Sequence, residues 1–165
     1  MHSNGYSLVR HVLLEQAGWS LDRHVEELGR SLGEELLEPT RIYALPCLEL
    51  ARRTATHALS HITGGGLAAN VARVLPDSVS AVVERSTWSL APIFDLVRTV
   101  GSVGISDLEQ TLNMGVGMVA VVAPVDADRA IALLTERGVD CWVCGEVTAE
   151  PGGEVRLHGS YGGSA

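Results

Sequence analysis

Hydrophobic positions recur at helical spacing over several stretches of this chain, and glycine or proline interrupts the pattern between them. A spacing near 3.6 residues is typical of a helix that buries one face. Gly18 and Gly138 follow two of these stretches and are suited to ending a helix. The pattern predicts helices over residues 8–17, 19–38, 46–53, 67–75, 92–100, 107–112 and 126–137.

Some residues within these stretches predict where the helices begin. Pro46 and Pro92 fit the first helical turn, where a missing N–H removes no hydrogen bond. Ser106, with Glu109 three residues later, matches a capping box, in which each residue satisfies the backbone N–H of the other. Gly101 is expected to end the helix that Pro92 begins.

Short apolar or alternating runs between the helices are typical of strands. The predicted strands are residues 58–62, 78–84, 119–123, 139–147 and 154–158, the last of them an edge strand. Alternating strands and helices predict an α/β or α+β protein with one sheet covered by helices. We expect one domain over residues 1–159 and a flexible Gly/Ser tail over residues 160–165.

The stretch from Ala58 to Leu67 joins a predicted strand to a predicted helix through Thr63 and three consecutive glycines. Glycine adopts positive φ readily and lets a ligand approach bare backbone. Free N–H groups at the start of the next helix favour an anion at such a turn, usually a phosphate. A tight turn that needs glycine only for its backbone angles is the alternative.

Two further turns contain glycine. The polar turn at residues 3–5, Ser-Asn-Gly, precedes the first predicted helix and is either a position for an anionic or polar ligand or an ordinary helix cap. The segment Asn113–Met118 contains Gly115 and Gly117 but precedes a strand, whereas a dinucleotide fingerprint lies between a strand and a helix. We interpret these glycines as a close approach of the backbone to a ligand or to a neighbouring strand.

Composition and charge exclude two classes of protein. The 165 residues carry a net charge of −8, and Arg52-Arg53 is the only strong basic cluster, which argues against a nucleic-acid surface. No apolar run approaches the ~18 residues that span a bilayer, and residues 2–9 lack the apolar core of a signal peptide. The three cysteines, an odd number, fit a reducing compartment. We expect a globular cytoplasmic protein with neither nucleic acid nor membrane as a partner.

Cysteine and histidine give little support for a metal site. Cys141 and Cys144 have the spacing of redox and half-zinc motifs, but in a strand residues three apart face opposite sides. No second cysteine pair accompanies them, and the six histidines show no metal-binding spacing. The sequence therefore predicts no metal ligand on this chain.

Four motifs occur in order along the chain. They are His2–Arg10 (HSNGYSLVR), Pro39–Tyr43 (PTRIY), His61–Gly66 (HITGGG) and Asn113–Met118 (NMGVGM). In this order and at these distances they resemble the C-terminal half of phosphoribosylformylglycinamidine cyclo-ligase, also called aminoimidazole ribonucleotide synthetase. Arg73–Pro76 and Trp88 fit as well, and the resemblance extends to about Glu146.

The resemblance implies a step of de novo purine biosynthesis. In this family ATP activates the formyl oxygen of formylglycinamidine ribonucleotide, a substrate nitrogen attacks that carbon, and phosphate leaves as the imidazole ring of aminoimidazole ribonucleotide closes. The reaction requires Mg2+. For this domain the resemblance implies a three-layer α/β/α sandwich with a mixed sheet, and for the whole enzyme a homodimer formed by the N-terminal domains.

The family's N-terminal domain has no counterpart in this sequence. That domain carries most of the acidic metal ligands and much of the ATP pocket in the family. We therefore expect ATP and Mg2+ to be bound mostly by that domain. We also expect this chain, as a C-terminal fragment, to need the N-terminal domain as a partner for the full reaction.

The resemblance and the glycine turn together imply roles for particular residues. The expected substrate or phosphate ligands are Asn4, Gly5, Thr63, Gly64, Gly65 and Gly66. The residues expected to line the ATP cleft are His2, Ser3, Asn113, Gly115 and Gly117. His61 is the expected catalytic residue, as a donor to developing negative charge or as an acid or base near neutral pH. The alternative for His61 is a core histidine bonded to backbone.

Two other classes of function stay open. A non-catalytic module would bind a phosphorylated metabolite without ATP or Mg2+. A structural fragment would expose an apolar face where the N-terminal domain docks and would bind nothing without it.

Overall fold

Helices and strands alternate along the chain in the computed structural model, which describes residues 4 to 162. The α-helices are α1 (Tyr6–Val9), α2 (Leu32–Leu36), α3 (Ala44–Arg53), α4 (Gly66–Ala72), α5 (Pro92–Gly101), α6 (Ile105–Thr111) and α7 (Ala127–Thr135). The strands are β1 (His24–Val25), β2 (Arg30–Ser31), β3 (Thr56–His61), β4 (Ser80–Glu84), β5 (Met118–Val122), β6 (Gly145–Thr148) and β7 (Val155–His158). A π-helical segment, Arg10–Gln16, continues α1.

The strands described between residues 4 and 162 form three sheets. Strands β1 and β2 pair antiparallel, as do β3 and β5. In the third sheet β4 lies between β6, to which it is antiparallel, and β7, to which it is parallel. The mixed α/β class, the mixed sheet and the edge position of β7 are thus confirmed. The strands are distributed over several sheets, however, whereas the sequence pattern predicts one.

The chain divides into two compact units. Unit 1 comprises Met1–Arg41, Ile62–Leu67 and Leu90–Gly117, and unit 2 comprises Ile42–His61, Ala68–Ser89 and Met118–Ala165. The chain therefore passes between the units several times, and the glycine turn lies in unit 1 while the strand before it lies in unit 2.

The core of unit 1 is aliphatic and helical. The π-helical continuation of α1 packs against α5, and α5 also contacts α6. Their inward positions recur at helical spacing, as the hydrophobic pattern requires. The fully buried side chains include Val9, Leu13, Val97, Leu108 and Leu112, each with no exposed surface.

Unit 2 combines its sheets with α3 and α7, which contact each other. Asp126 accepts a hydrogen bond from the backbone N–H of Ala55 at 2.7 Å, which joins the start of α7 to the residue before β3. Tyr161 is 6% exposed and packs edge-on against Trp88, with ring centroids 5.2 Å apart. The first residues of the predicted tail therefore pack in unit 2, while residues 163–165 lie outside the described part of the chain.

The helix predicted over residues 19–38 is wrong. A short β1–β2 hairpin occupies its middle, joined by a 3-10 turn at Glu26–Leu28, and at its end only the five residues of α2 are α-helical. Gly29 turns the chain with a φ of +63°, and the N–H of Gly33 donates to the carbonyl of Leu21 at 2.7 Å. These two glycines favour a turn and a close backbone contact over a continuous helix.

Several predicted helix ends also differ from the structure. Ser106 lies inside α6, whose N-cap is Gly104, so the capping box predicted at Ser106 is wrong. Helix α5 begins at Pro92 as predicted, but it includes Gly101, and its C-cap is Ser102, which has a φ of +50°. Helix α3 begins two residues before Pro46. A side-chain cap is decided by the geometry of the preceding loop, which a spacing rule does not contain.

The predicted strand over residues 139–147 is mostly wrong. Residues 139–144 form no regular structure, and β6 begins only at Gly145. Cys141 and Cys144 thus precede the strand. The carbonyl of Cys144 accepts a hydrogen bond from the N–H of Glu84 at 2.8 Å, so pairing with β4 begins beside the second cysteine.

Among the helices in residues 4–162, none is both long enough and apolar enough to cross a lipid bilayer.

Candidate functional site

The glycine turn follows directly after β3. Ile62 is fully buried, Thr63 is partly buried, and Gly64 and Gly65 are exposed. The N–H of Gly66 donates to the carbonyl of Thr63 at 3.1 Å and closes the turn at the start of α4. The burial of Ile62 anchors the turn, so its exposed glycines are held at a defined position in unit 1.

The structure requires glycine at two of the three consecutive glycine positions and does not require it at the third. Gly65 and Gly66 adopt φ of +96° and +74°, a region that favours glycine. A Cβ atom on Gly66 would in addition overlap the backbone carbonyl of Glu109. Gly64 has neither reason, since its φ is not positive and a Cβ there would meet only Asn4 Nδ2, at an ordinary 3.8 Å. The absence of a side chain at Gly64 is therefore not explained by folding alone.

A second loop, Asn113–Gly117, lies against the glycine turn. The N–H of Ile62 donates to the carbonyl of Gly117 at 3.0 Å, which joins the two segments. Asn113 is 6% exposed, and its side-chain oxygen accepts from the N–H of Gly115 at 3.3 Å. Gly115 is exposed with a φ of +93°, whereas Gly117 is buried. Asn113 therefore shapes this loop from within.

The segment Asn4-Gly5 brings a third piece of backbone to the same unit. Gly5 is the N-cap of α1 with a φ of +88°, and its carbonyl accepts from the N–H of Val9 at 3.1 Å. A Cβ on Gly5 would overlap the side chain of Leu112, so this glycine is needed for packing. The N-cap is Gly5, which has no side chain, and no side chain caps α1. Helix capping by Asn4 therefore does not explain the polar turn.

Unit 1 thus brings together most of the predicted site residues, and we call this group the loop cluster. It consists of Asn4-Gly5, Thr63–Gly66 and Asn113–Gly117. None of these residues carries a charge, so an anion held there would be bound by amide and hydroxyl donors. The predicted residues His2 and Ser3 lie outside the described part of the chain.

His61 belongs to unit 2 and ends β3. It is exposed and lies opposite Met118 in the β3–β5 pair. Its ring centroid is 6.0 Å from that of Tyr43, with the two rings tilted by 58°. A core histidine was the alternative for this residue, and its exposure contradicts that alternative.

Sequence reasoning missed two residues that shape the loop cluster. Glu109 presents its backbone carbonyl to Gly66, and Met114 is 1% exposed with a φ of +50°. Neither has a sequence signal for this role, because any residue supplies a carbonyl and methionine does not favour positive φ. The nearby run of glycines was the one available indication of crowded backbone.

Cysteine chemistry lies outside the loop cluster. Burial raises the pKa of the Cys47 and Cys144 thiols above that of a free cysteine, so both are less readily ionised. Within residues 4–162 no three His, Cys, Asp or Glu side chains gather closely enough to hold a metal ion.

The fold and the loop cluster together define a mixed α/β domain with a group of glycine-rich polar loops in one of its units. The family model described as AIR synthase related protein, C-terminal domain, matches residues 1–158. The chain therefore belongs to the AIR synthase related family, and it corresponds to that family's C-terminal domain.

Several curated relatives carry the name phosphoribosylformylglycinamidine cyclo-ligase. A provisionally named one from Streptomyces fradiae is 61% identical over 166 residues, covering 98% of this chain and 91% of the relative. The one from Brevibacillus brevis is 46% identical over 90% of this chain, and one from Anaeromyxobacter sp. is 50% identical over 92%. The chain spans 43% and 44% of the length of these last two relatives.

Proposed function

We propose that this chain provides the C-terminal domain of a cytoplasmic phosphoribosylformylglycinamidine cyclo-ligase of purine biosynthesis. The full enzyme would convert formylglycinamidine ribonucleotide and ATP to aminoimidazole ribonucleotide, ADP and phosphate. Family membership and the names of the relatives support this proposal. The N-terminal domain of the same enzyme, which forms a homodimer in the family, would be the partner.

The exposed backbone at Gly64 is the observation on which the site assignment depends. It lies beside the amide of Asn4, and no packing contact or backbone angle requires glycine there. A bound group that approaches the backbone closely would account for it. Because a phosphate accepts hydrogen bonds from amide N–H and hydroxyl donors, we assign the phosphate of the ribonucleotide or the transferred phosphoryl group to this position.

The other residues of the loop cluster would position substrate. Thr63 offers a hydroxyl donor, Gly65 offers exposed backbone, and Gly115 offers a second exposed stretch of backbone. Phosphoryl transfer depends mainly on positioning and on electrostatic stabilisation, which groups of this type can provide. His61 would donate a proton or hydrogen bond to the oxygen that develops negative charge during ring closure.

Mg2+ is assigned to no residue of this chain. Mg2+ at such sites is held by one or two carboxylates together with substrate phosphates and water, and the family resemblance places most of the acidic metal ligands in the N-terminal domain. We infer that the N-terminal domain holds Mg2+ and most of ATP, and no step above is assigned to the ion on this chain.

The direct test is a complementation assay. The chain is mixed with the N-terminal domain of the Brevibacillus brevis relative, formylglycinamidine ribonucleotide, ATP and Mg2+, and aminoimidazole ribonucleotide is measured. We expect turnover with both domains and none with either alone. Binding of the ribonucleotide without turnover in the mixture would favour a non-catalytic module, and turnover by the chain alone would contradict the assignment of ATP and Mg2+ to the other domain.

His61 and Gly64 are tested in the same assay. His61→Ala is expected to lower kcat by about 10²-fold or more, while His57→Ala, an exposed histidine on the same strand, should leave kcat unchanged. Gly64→Ala is expected to weaken ribonucleotide binding by about tenfold or more without loss of stability. Gly104→Ala is its control, since Gly104 also has an ordinary φ, −64°, and room for a Cβ. Equal affinities for the two glycine variants would remove Gly64 from the site.

A further inference from the structure

A groove of about 350 Å3 lies on unit 2, along α3 and the residues that follow α7. Its volume lies at the lower end of the range for small-molecule pockets, about 300–1,000 Å3. The groove is lined by Leu45, Leu48, Glu49, Arg52, Arg53 and Arg137. None of these residues belongs to the loop cluster or to the functional assignments above, and they include the only strong basic cluster of the sequence.

The groove is positively charged on an acidic protein. The side chain of Arg53 donates to one oxygen of the Glu49 carboxylate at 2.9 Å, and Arg137 forms an ion pair with the other oxygen. Arg52, next to Arg53, is exposed. Three guanidinium groups against one carboxylate leave a local excess of positive charge, although the chain as a whole has a net charge of −8. Such a local excess attracts anions.

The same groove also offers apolar surface. Leu45 and Leu48 are 68% and 45% exposed, and they lie three residues apart on α3, which places them on one face of the helix. Guanidinium groups bind phosphate or carboxylate through paired hydrogen bonds. Two exposed leucines beside three arginines therefore present an apolar wall next to an anion-binding wall.

We propose that this groove is a second binding site, which takes a small amphipathic anion. The anionic group, a phosphate ester or a carboxylate, binds Arg52, Arg53 and Arg137, and the apolar part of the ligand lies on Leu45 and Leu48. Glu49 competes with the anion for the guanidinium groups of Arg53 and Arg137. The proposal is independent of the cyclo-ligase assignment, because it shares no residue with the loop cluster.

The test uses calorimetric titration of the full chain with three probes. Hexyl phosphate carries both features of the proposed ligand, inorganic phosphate carries only the charge, and hexanol carries only the apolar chain. We expect hexyl phosphate to bind about tenfold or more tightly than inorganic phosphate, because burial of a few methylene groups produces a difference of that size. Hexanol is expected to show no saturable binding.

Substitutions in the groove test where the ligand binds, and they are expected to weaken binding at some positions and strengthen it at another. Arg52→Gln should weaken hexyl phosphate binding by about fivefold or more, whereas Arg129→Gln, an exposed arginine of α7 outside the groove, should not change it. Leu48→Ala should weaken hexyl phosphate but not inorganic phosphate. Glu49→Gln should strengthen the binding of both phosphates, because it removes the competing carboxylate. Thermal melts of each variant check that it is folded.

Three results would overturn the proposal. The first is that Arg52→Gln, Arg129→Gln and the unchanged chain all bind hexyl phosphate with the same affinity. Another is hexyl phosphate binding no more tightly than inorganic phosphate, or not at all. The third is hexyl phosphate binding that survives Arg52→Gln but is lost in Gly64→Ala, because it would then belong to the loop cluster.

Discussion

Gly66 is required by the fold, although it lies in a glycine-rich segment whose sequence suggests a binding site. Its backbone lies against the carbonyl of Glu109, where no Cβ fits, and its φ is +74°. Gly64, two residues earlier, has no positive φ, and a Cβ there would make only an ordinary contact with Asn4. Gly66 is therefore required by packing, whereas no packing contact requires Gly64. The site assignment depends on Gly64.

Replacing Gly66 tests this division. Gly66→Ala should lower the free energy of unfolding by about 3 kcal/mol or more, because the strain of positive φ adds to the overlap with Glu109. The measurement is chemical denaturation followed by circular dichroism. Gly18→Ala is the matched control, since Gly18 has a φ of +65° but no atom within 4 Å of a Cβ, and it should lose about 1 kcal/mol. Similar losses in the two variants would mean that the contact with Glu109 is not tight.

At the scale of elements, α2 depends on its cap more than on its length. The helix has five residues, and Ser31 and Glu34 form a capping box at its start. Hydrogen bonds from the backbone N–H and then the hydroxyl of Ser31 hold the pKa of Glu34 below its ordinary value. The ionised form is thus favoured in the folded chain. Its stabilising effect is present above the pKa of an unfolded glutamate and is lost as the pH falls through the lower, folded pKa.

Ser31→Ala should therefore have two effects. The pKa of Glu34 should rise part of the way towards its ordinary value, since the backbone donor remains, and the free energy of unfolding at neutral pH should fall by about 1 kcal/mol. Carbon-detected NMR titration of the Glu34 carboxyl and denaturant unfolding measure the two. Ser7→Ala, an exposed serine of α1 with no capping role, is the control. An unchanged pKa of Glu34 in Ser31→Ala would contradict the capping box.

At the scale of the whole molecule, unit 2 depends on residues far apart in the chain. Trp88 contacts Trp142 and Tyr161, with ring centroids 6.1 and 5.2 Å away, and the N–H of Gly162 donates to the carbonyl of Trp88 at 3.0 Å. The chain has only seven aromatic residues, counting Phe, Trp and Tyr, so three of them in one group are a large share. This group holds residues 161–162 against unit 2.

Tyr161→Ala should therefore destabilise the protein although it lies near the end of the chain. We expect a loss of about 3 kcal/mol in the free energy of unfolding, which is typical of removing a buried aromatic ring. Tyr161→Phe keeps the ring and should lose much less. Thermal and denaturant unfolding compare the two variants, and equal stability of Tyr161→Ala and the unchanged chain would mean that these residues contribute nothing to unit 2.

Local patterns predicted the elements whose signals lie within the elements themselves. Helix α5 begins at Pro92, and β4 and β7 lie within predicted strands, because apolar periodicity and proline act over a few residues. The helix prediction for residues 19–38 is wrong because its structure depends on a contact between residues far apart in sequence. Its leucine spacing is helical, but the close contact between Gly33 and Leu21 decides its structure, and that contact is not local in sequence.

The sequence by itself determined the mixed α/β class, the family and the glycine-rich segments that form the loop cluster. The tertiary structure alone decided the role of each glycine in the turn, because Gly64, Gly65 and Gly66 are the same residue type and differ only in their backbone angles and in their surroundings. It also decided that Arg137 joins Arg52 and Arg53 in one groove. Periodicity and spacing report interactions within a few residues, whereas close approaches and charge clusters arise from segments that meet only when the chain folds.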